Sequence, residues 1–229
     1  MERNRHLIVG LDPGKTGAIV TGYLDDPEEV TISDLGNGRA AVVQTILKSI
    51  GSMRPFSRVS VFLEQSFILP GSAISASETY MKHYGNIEAA LLAARIPNND
   101  ITELRPQTWQ HIYPDLTPPR SKAGEKSESG ERRIQIKHNS RRIATRLFPK
   151  LARMFAAIKN DGRADAALIY SYGVRKVRGD LVEVPTPAVK IRSSNNGKAQ
   201  DKSPSRTTAP ALPPEHIPGL DPTFDAFLR

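Results

Sequence analysis

Two short apolar runs, far apart in the chain, each end in a carboxylate. Leu7-Ile8-Val9-Gly10-Leu11 leads into Asp12, and Val59-Ser60-Val61-Phe62-Leu63 leads into Glu64. Aliphatic and β-branched residues in runs of this length predict buried strands. An acid at the end of a buried strand is costly unless it is hydrogen-bonded, paired or bound to a metal. Asp12 alone reads equally well as a turn residue accepting hydrogen bonds from its own loop. Two strands that each end in an acid carry more information than one.

The rest of the chain places these strands in a mixed α/β layered fold. Asp12-Pro13-Gly14-Lys15-Thr16-Gly17 is a tight turn punctuated by Pro and two Gly. A strand over Ala18–Tyr23, a polar turn over Asp25–Glu29 and a third strand over Val30–Ser33 make a β-meander. Helical spacing covers Arg39–Ile50, through Val42, Val43, Ile46, Leu47 and Ile50, and again Ser75–Arg95. A strand is expected over Ile101–Arg105 and a short helix from Pro106, which suits a first helical turn. Residues 117–133 contain Pro118-Pro119, Gly124 and Gly130 and read as a flexible basic loop. Helices follow over Ser140–Phe148 and Asp161–Val177. The fold is expected to occupy residues 1–180. Residues 181–229 read as a mostly disordered tail, since eight prolines among Ser, Asn and Gly cannot bury enough apolar surface to offset ordering entropy.

The third acidic signal is Asp161-Gly162-Arg163-Ala164-Asp165. On a helix, residues four apart share a face, so both carboxylates point the same way and repel. A divalent cation reverses the sign of that interaction. A helix-dipole Asp followed by a solvent-facing Asp is the plainer reading. Taken together, Asp12, Glu64, Asp161 and Asp165 form an oxygen-rich set suited to Mg²⁺ or Mn²⁺. Two such ions can activate water and stabilise the leaving oxygen in phosphodiester hydrolysis.

Charge and composition narrow the partners. The net charge is +8, and residues 120–150 hold ten Lys and Arg against three Glu. Nearly all the excess therefore sits in one stretch, where it either draws phosphate backbones or is a solvated helix face. There are no cysteines, which excludes disulfides and Cys-ligated metal sites. No apolar run approaches the length of a membrane span, and the start carries no signal or transit pattern. The expected location is the cytoplasm of a bacterium, or of its host if the chain is phage-encoded.

At these residues the sequence resembles the RuvC-type Holliday-junction resolvases, more closely the branch found in phage and in chloroplast resolvases. The resemblance spans Leu7 to about Lys176. It rests on Ile8-Val9-Gly10-Leu11-Asp12-Pro13-Gly14, Phe62-Leu63-Glu64-Gln65, Pro106-Gln107-Thr108-Trp109, Leu147-Phe148-Pro149 and Asp161-Gly162-Arg163-Ala164-Asp165-Ala166. It implies an RNase H-like sheet flanked by helices, a homodimer, and paired metal-dependent nicking across a four-way DNA junction with two Mg²⁺ or Mn²⁺ ions per site. By the same resemblance Asp12, Glu64, Asp161 and Asp165 are the metal-binding acids, although part of that branch carries His at the position of Asp161. Lys137 falls where relatives carry a Lys near the scissile phosphate, and Phe67 where an aromatic reaches unpaired bases. Lys15, Phe67, Arg132, Arg133, Lys137, Arg141 and Arg142 are the expected DNA contacts. Trp109 matches a family Trp and reads as packing. Tyr80 and Tyr84 share a helix face and read as dimer contacts or core, and His83 and His138 as surface groups. The long loop and the Pro-rich tail depart from the minimal resolvase.

Three other readings compete. A flap or fork nuclease shares the chemistry. A non-catalytic DNA-binding scaffold would make the acids structural. A sugar-kinase-like or actin-like ATPase is faintly suggested by the Gly10–Gly17 turn, but that class needs two such domains. No nucleotide cofactor and no membrane partner are expected.

Overall fold

Strand β1 (His6–Asp12) is the middle of a five-stranded sheet. It pairs antiparallel with β2 (Ala18–Tyr23) and parallel with β4 (Arg58–Glu64). β2 continues antiparallel to β3 (Asp26–Asp34), and β4 continues parallel to β5 (Ile101–Leu104). The order β3-β2-β1-β4-β5, with a meander on one side and parallel strands on the other, is RNase H-like. The structure, a computed structural model, describes residues 5–14, 16–53, 56–65, 74–118, 129–157 and 161–181.

Strand alternation divides the core into two layers. Leu7, Val9 and Leu11 of β1 face helices α1 (Arg39–Gly51) and α2 (Ile74–Ala93), where they meet Ile46, Ile50, Ile87 and Leu91. Ile8 faces the opposite layer, built from α3 (Pro106–Gln110), α4 (Ser129–Leu147), α5 (Ala152–Phe155) and α6 (Asp161–Arg178). In that layer Trp109, Ile143, Phe155, Leu168 and Tyr170 are buried.

Helix α6 lies directly on β1. A Cβ at Gly10 would stand 2.5 Å from the Tyr170 nitrogen and 2.6 Å from the Ala166 carbonyl oxygen. Only a residue without a side chain lets strand and helix backbones approach so closely. The contact sets how α6 lies along β1, with its N-terminal end at the Asp12 end of the strand.

Two boundaries differ from the sequence reading by more than two residues. The polar turn expected over Asp25–Glu29 is only Leu24–Asp25, and β3 starts at Asp26. Asp26 still pairs with Tyr23, but the register shifts between Gly22 and Tyr23, so Pro27, Glu28 and Glu29 bulge out of the β2 ladder. The loop expected to reach residue 133 gives way to α4 at Ser129, well before Ser140. Ile136 and Ile143 pack into the α6 layer, and this tertiary contact outweighs the Gly130 and charge signals. Residues 119–128 of that loop, and the tail beyond Leu181, lie outside the described residues. Among the described residues no helix is long and apolar enough to cross a membrane.

Candidate active site

The two strand-end acids are neighbours by register. β1 and β4 pair from His6↔Arg58 to Leu11↔Leu63, so Asp12 and Glu64 come next on adjacent parallel strands, which run about 4.8 Å apart. They share parity with Ile8 and Phe62, whose side chains lie in the α6 layer. Alternation therefore directs both carboxylates to that layer.

The α6 N-terminus meets them there. A Cβ on Gly162 would lie 2.9 Å from Asp12 Oδ2 and 1.9 Å from the Thr16 carbonyl oxygen. Asp161 precedes that glycine, and Asp165 sits one turn along the helix. Gly162 is thus the point where the helix fits against the Asp12 turn. Gly162→Ala is expected to lower unfolding stability by about 2–4 kcal/mol through backbone overpacking. Chemical denaturation with far-UV circular dichroism checks this, and wild-type stability would show that helix and turn are not in contact.

Three carboxylates influence one another. Burial, then Asp165, raises the pKa of Asp12, against the Gly14 N–H that donates to its Oδ1 at 3.3 Å and against Lys137. Burial, then Asp12 and Asp165, raises that of Glu64, against a hydrogen bond from Trp109. Burial raises that of Asp165, as does Asp161, while the Ser140 hydroxyl and Lys137 lower it. The Ser140 hydroxyl faces Asp165 without meeting hydrogen-bond geometry. The strand ends and α6 thus bring four acids, distant in the chain, into one charge-dense region.

Asp161 is oriented differently from the other three. Lys137 Nζ lies 2.7 Å from its Oδ2 and Arg141 Nε 3.4 Å from its Oδ1, so α4 holds it in an ion pair. Oδ1 is buried and makes no hydrogen bond. Among the described residues, no three acids or histidines stand as a ready chelating group. An ion drawing on Asp161 would have to displace Lys137. The donor set still fits a hard divalent cation. It is all oxygen, its members repel one another, and one buried oxygen lacks a hydrogen bond.

The expected DNA contacts fall into three groups. Lys15 and Phe67 lie outside the described residues. Arg133 and Arg142 are exposed on α4, and Arg132 is half-buried. Arg142 and Arg146 stand 3.9 and 3.8 Å from Asp115, loose surface pairs that leave their charge available. Lys137 and Arg141 instead point into the acidic region, with the Arg141 side chain only 16% exposed.

Several neighbours of the site had other readings in the sequence. Trp109 Nε1 donates to Glu64 Oε2 at 2.8 Å, so the indole does more than pack. The His83 ring, read as a surface group, bonds through Nδ1 to the Pro13 carbonyl at 2.8 Å and ties α2 to the Asp12 turn. No spacing links His83 to a residue 70 positions earlier, so only the packed fold reveals this contact. Tyr84 is buried in the α1–α2 layer, whereas the Tyr80 side chain lies outside the described residues.

No protein-family model matches the sequence, and no curated protein matches it. Among solved structures the chain is similar to Thermus thermophilus RuvC in complex with a Holliday junction substrate. Identity there is 12%, over 75% of this chain and 96% of that one, with a TM-score of 0.45. It is also similar to a second structure of Thermus thermophilus RuvC, at 14% identity over 76% and 96%, with a TM-score of 0.40.

Proposed function

We propose that this protein is a divalent-metal-dependent endonuclease that nicks branched DNA, with the four-way junction as its preferred substrate. The observation that carries the reading is the convergence of Asp12, Glu64 and Asp165, from two adjacent strands and the helix over them, with Asp161 beside them. Mutual repulsion of buried acids is unfavourable for folding and finds its use when cations bind.

Asp12, Glu64, Asp165 and, once released from Lys137, Asp161 would hold two Mg²⁺ or Mn²⁺ ions. The ions supply an activated water and charge stabilisation at the leaving oxygen. Lys137 and Arg141 provide fixed positive charge beside the acids, where the anionic phosphate has to enter. Exposed Arg133 and Arg142 on the same helix extend that charge outward along a DNA backbone. Phosphate contacts of this kind position DNA without reading its sequence, so selectivity rests on branch shape.

A four-way junction has two-fold symmetry, and paired nicking needs two active sites related in the same way. Helix α2 offers a surface for such a dimer. Met81, Gly85 and Leu92 share one helix face; Met81 is 49% and Leu92 72% exposed, and among the described residues nothing lies within 4 Å of a Cβ on Gly85. Glu88 is exposed on the same face between Gly85 and Leu92, so a second copy docking there would meet a mixed apolar and acidic surface.

The test is cleavage mapping on labelled four-way, three-way, flap and linear DNAs with Mg²⁺, Mn²⁺ or chelator. Symmetric nicks on the four-way junction, dependent on metal, are expected. Faster cutting of flaps would assign the site to a broader branched-DNA nuclease. Junction binding without nicking under any divalent ion would make the chain a scaffold.

A further inference from the structure

Glu64 has one described hydrogen-bond donor, the indole of Trp109. Trp109 is 1% exposed, and its N–H meets Oε2 at 2.8 Å. Among the described residues no donor reaches Oε1. The chain is built to bring the indole there. The Gln65 nitrogen, just past Glu64, donates to the Leu104 carbonyl at 2.7 Å and joins the ends of β4 and β5. Only Arg105 separates β5 from α3, which returns Trp109 against the end of β4.

The far side of the ring is fixed as well. Trp109 packs edge-to-face with Tyr113, their centroids 6.5 Å apart, and the Tyr113 hydroxyl donates to the Leu168 carbonyl of α6 at 2.8 Å. A packed line thus runs from α6 through Tyr113 and Trp109 to Glu64. An indole N–H only donates, so it cannot exchange roles when the carboxylate changes partner.

We propose that Trp109 is a positioning residue for Glu64. Its N–H takes Oε2, holds the carboxylate in one rotamer and leaves Oε1 to meet a cation. The proposal rests on the metal-site reading above, and it separates the N–H from the ring, which a purely packing role would not.

Trp109→Phe keeps an aromatic ring and removes the N–H. Isothermal calorimetry with Mg²⁺ and with Mn²⁺ is expected to show roughly 10–100-fold weaker binding than wild type, the usual cost of losing a group that orients a ligand. Far-UV circular dichroism should show the same fold. Wild-type metal affinity in a folded Trp109→Phe protein overturns the proposal.

Trp109 is the chain's single tryptophan, so the wild-type protein carries its own reporter. Its one indole N–H resonance should shift on Mg²⁺ addition with the midpoint found by calorimetry. This measurement decides the matter if Trp109→Phe does not fold. An indole resonance that stays in place while calorimetry records binding overturns the proposal and leaves the metal site standing. No metal binding to wild type overturns both.

Discussion

Asp12→Asn is expected to abolish cutting while leaving junction binding in place. The amide is nearly the same size as the carboxylate and can still accept the Gly14 N–H, so the turn keeps its shape. What it removes is the charge at the centre of the acidic group, beside Glu64 on the neighbouring strand and Gly162 at the α6 terminus. Asp12 would hold an ion that makes bound water more acidic and stabilises the leaving oxygen, a contribution of several powers of ten in rate. Nicking of a four-way junction should therefore fall by about 10³-fold or more. Affinity for the same junction, measured by gel shift in chelator, should stay within about threefold, because the basic residues of α4 are unchanged. Cutting at the wild-type rate would remove Asp12 from the chemistry and the metal-site assignment with it.

The metal-free protein should lose stability as pH rises, and Mg²⁺ should restore it. Burial and mutual repulsion push Asp165 up to about 6, Asp12 to about 7 and Glu64 to about 9, above the roughly 4 that carboxyls have in an unfolded chain. The folded state then binds more protons than the unfolded state across this range. The stability these groups contribute is fully present below about pH 4 and is lost as pH climbs through the raised values. For a domain of this size a Tm drop of roughly 5 °C between pH 5 and pH 8 is expected without metal. A cation that binds the ionised acids reverses the drop at pH 8 and does little at pH 5. Asp12→Asn should be more stable than wild type at pH 8 in chelator, since one repelling charge is gone. Scanning calorimetry of both proteins at both pH values checks this. Equal metal-free Tm values for variant and wild type at pH 8 would show that Asp12 is not strained by its neighbours.

Local pattern was enough to read most of the elements. The apolar run before Asp12 and the run before Glu64 are strands, Arg39–Gly51 is a helix, and Pro106 opens a short one. Local pattern failed where packing decides. The start of α4 looks like loop by composition, yet Ile136 and Ile143 bury against the α6 layer and hold the helix from Ser129. Polar Asp26–Glu29 looks like turn, yet Asp26 pairs with Tyr23 across a bulge in the β2 ladder.

The site divides in the same way. Each acid was legible with its own element: Asp12 and Glu64 at strand ends, Asp161 and Asp165 one helical turn apart. Those relations follow from the two-residue repeat of a strand and the 3.6-residue turn of a helix, which short segments carry by themselves. Which strands lie side by side depends on contacts between residues about fifty positions apart, and where α6 lands depends on the Gly10 and Gly162 approaches to its backbone. No local period encodes either. The same long-range packing gave Asp161 to Lys137 and Arg141, His83 to the Asp12 turn, and the Trp109 N–H to Glu64. The chain by itself chose the chemical groups. The packed layers chose their partners, because burial leaves each polar atom only the neighbours the fold brings to it.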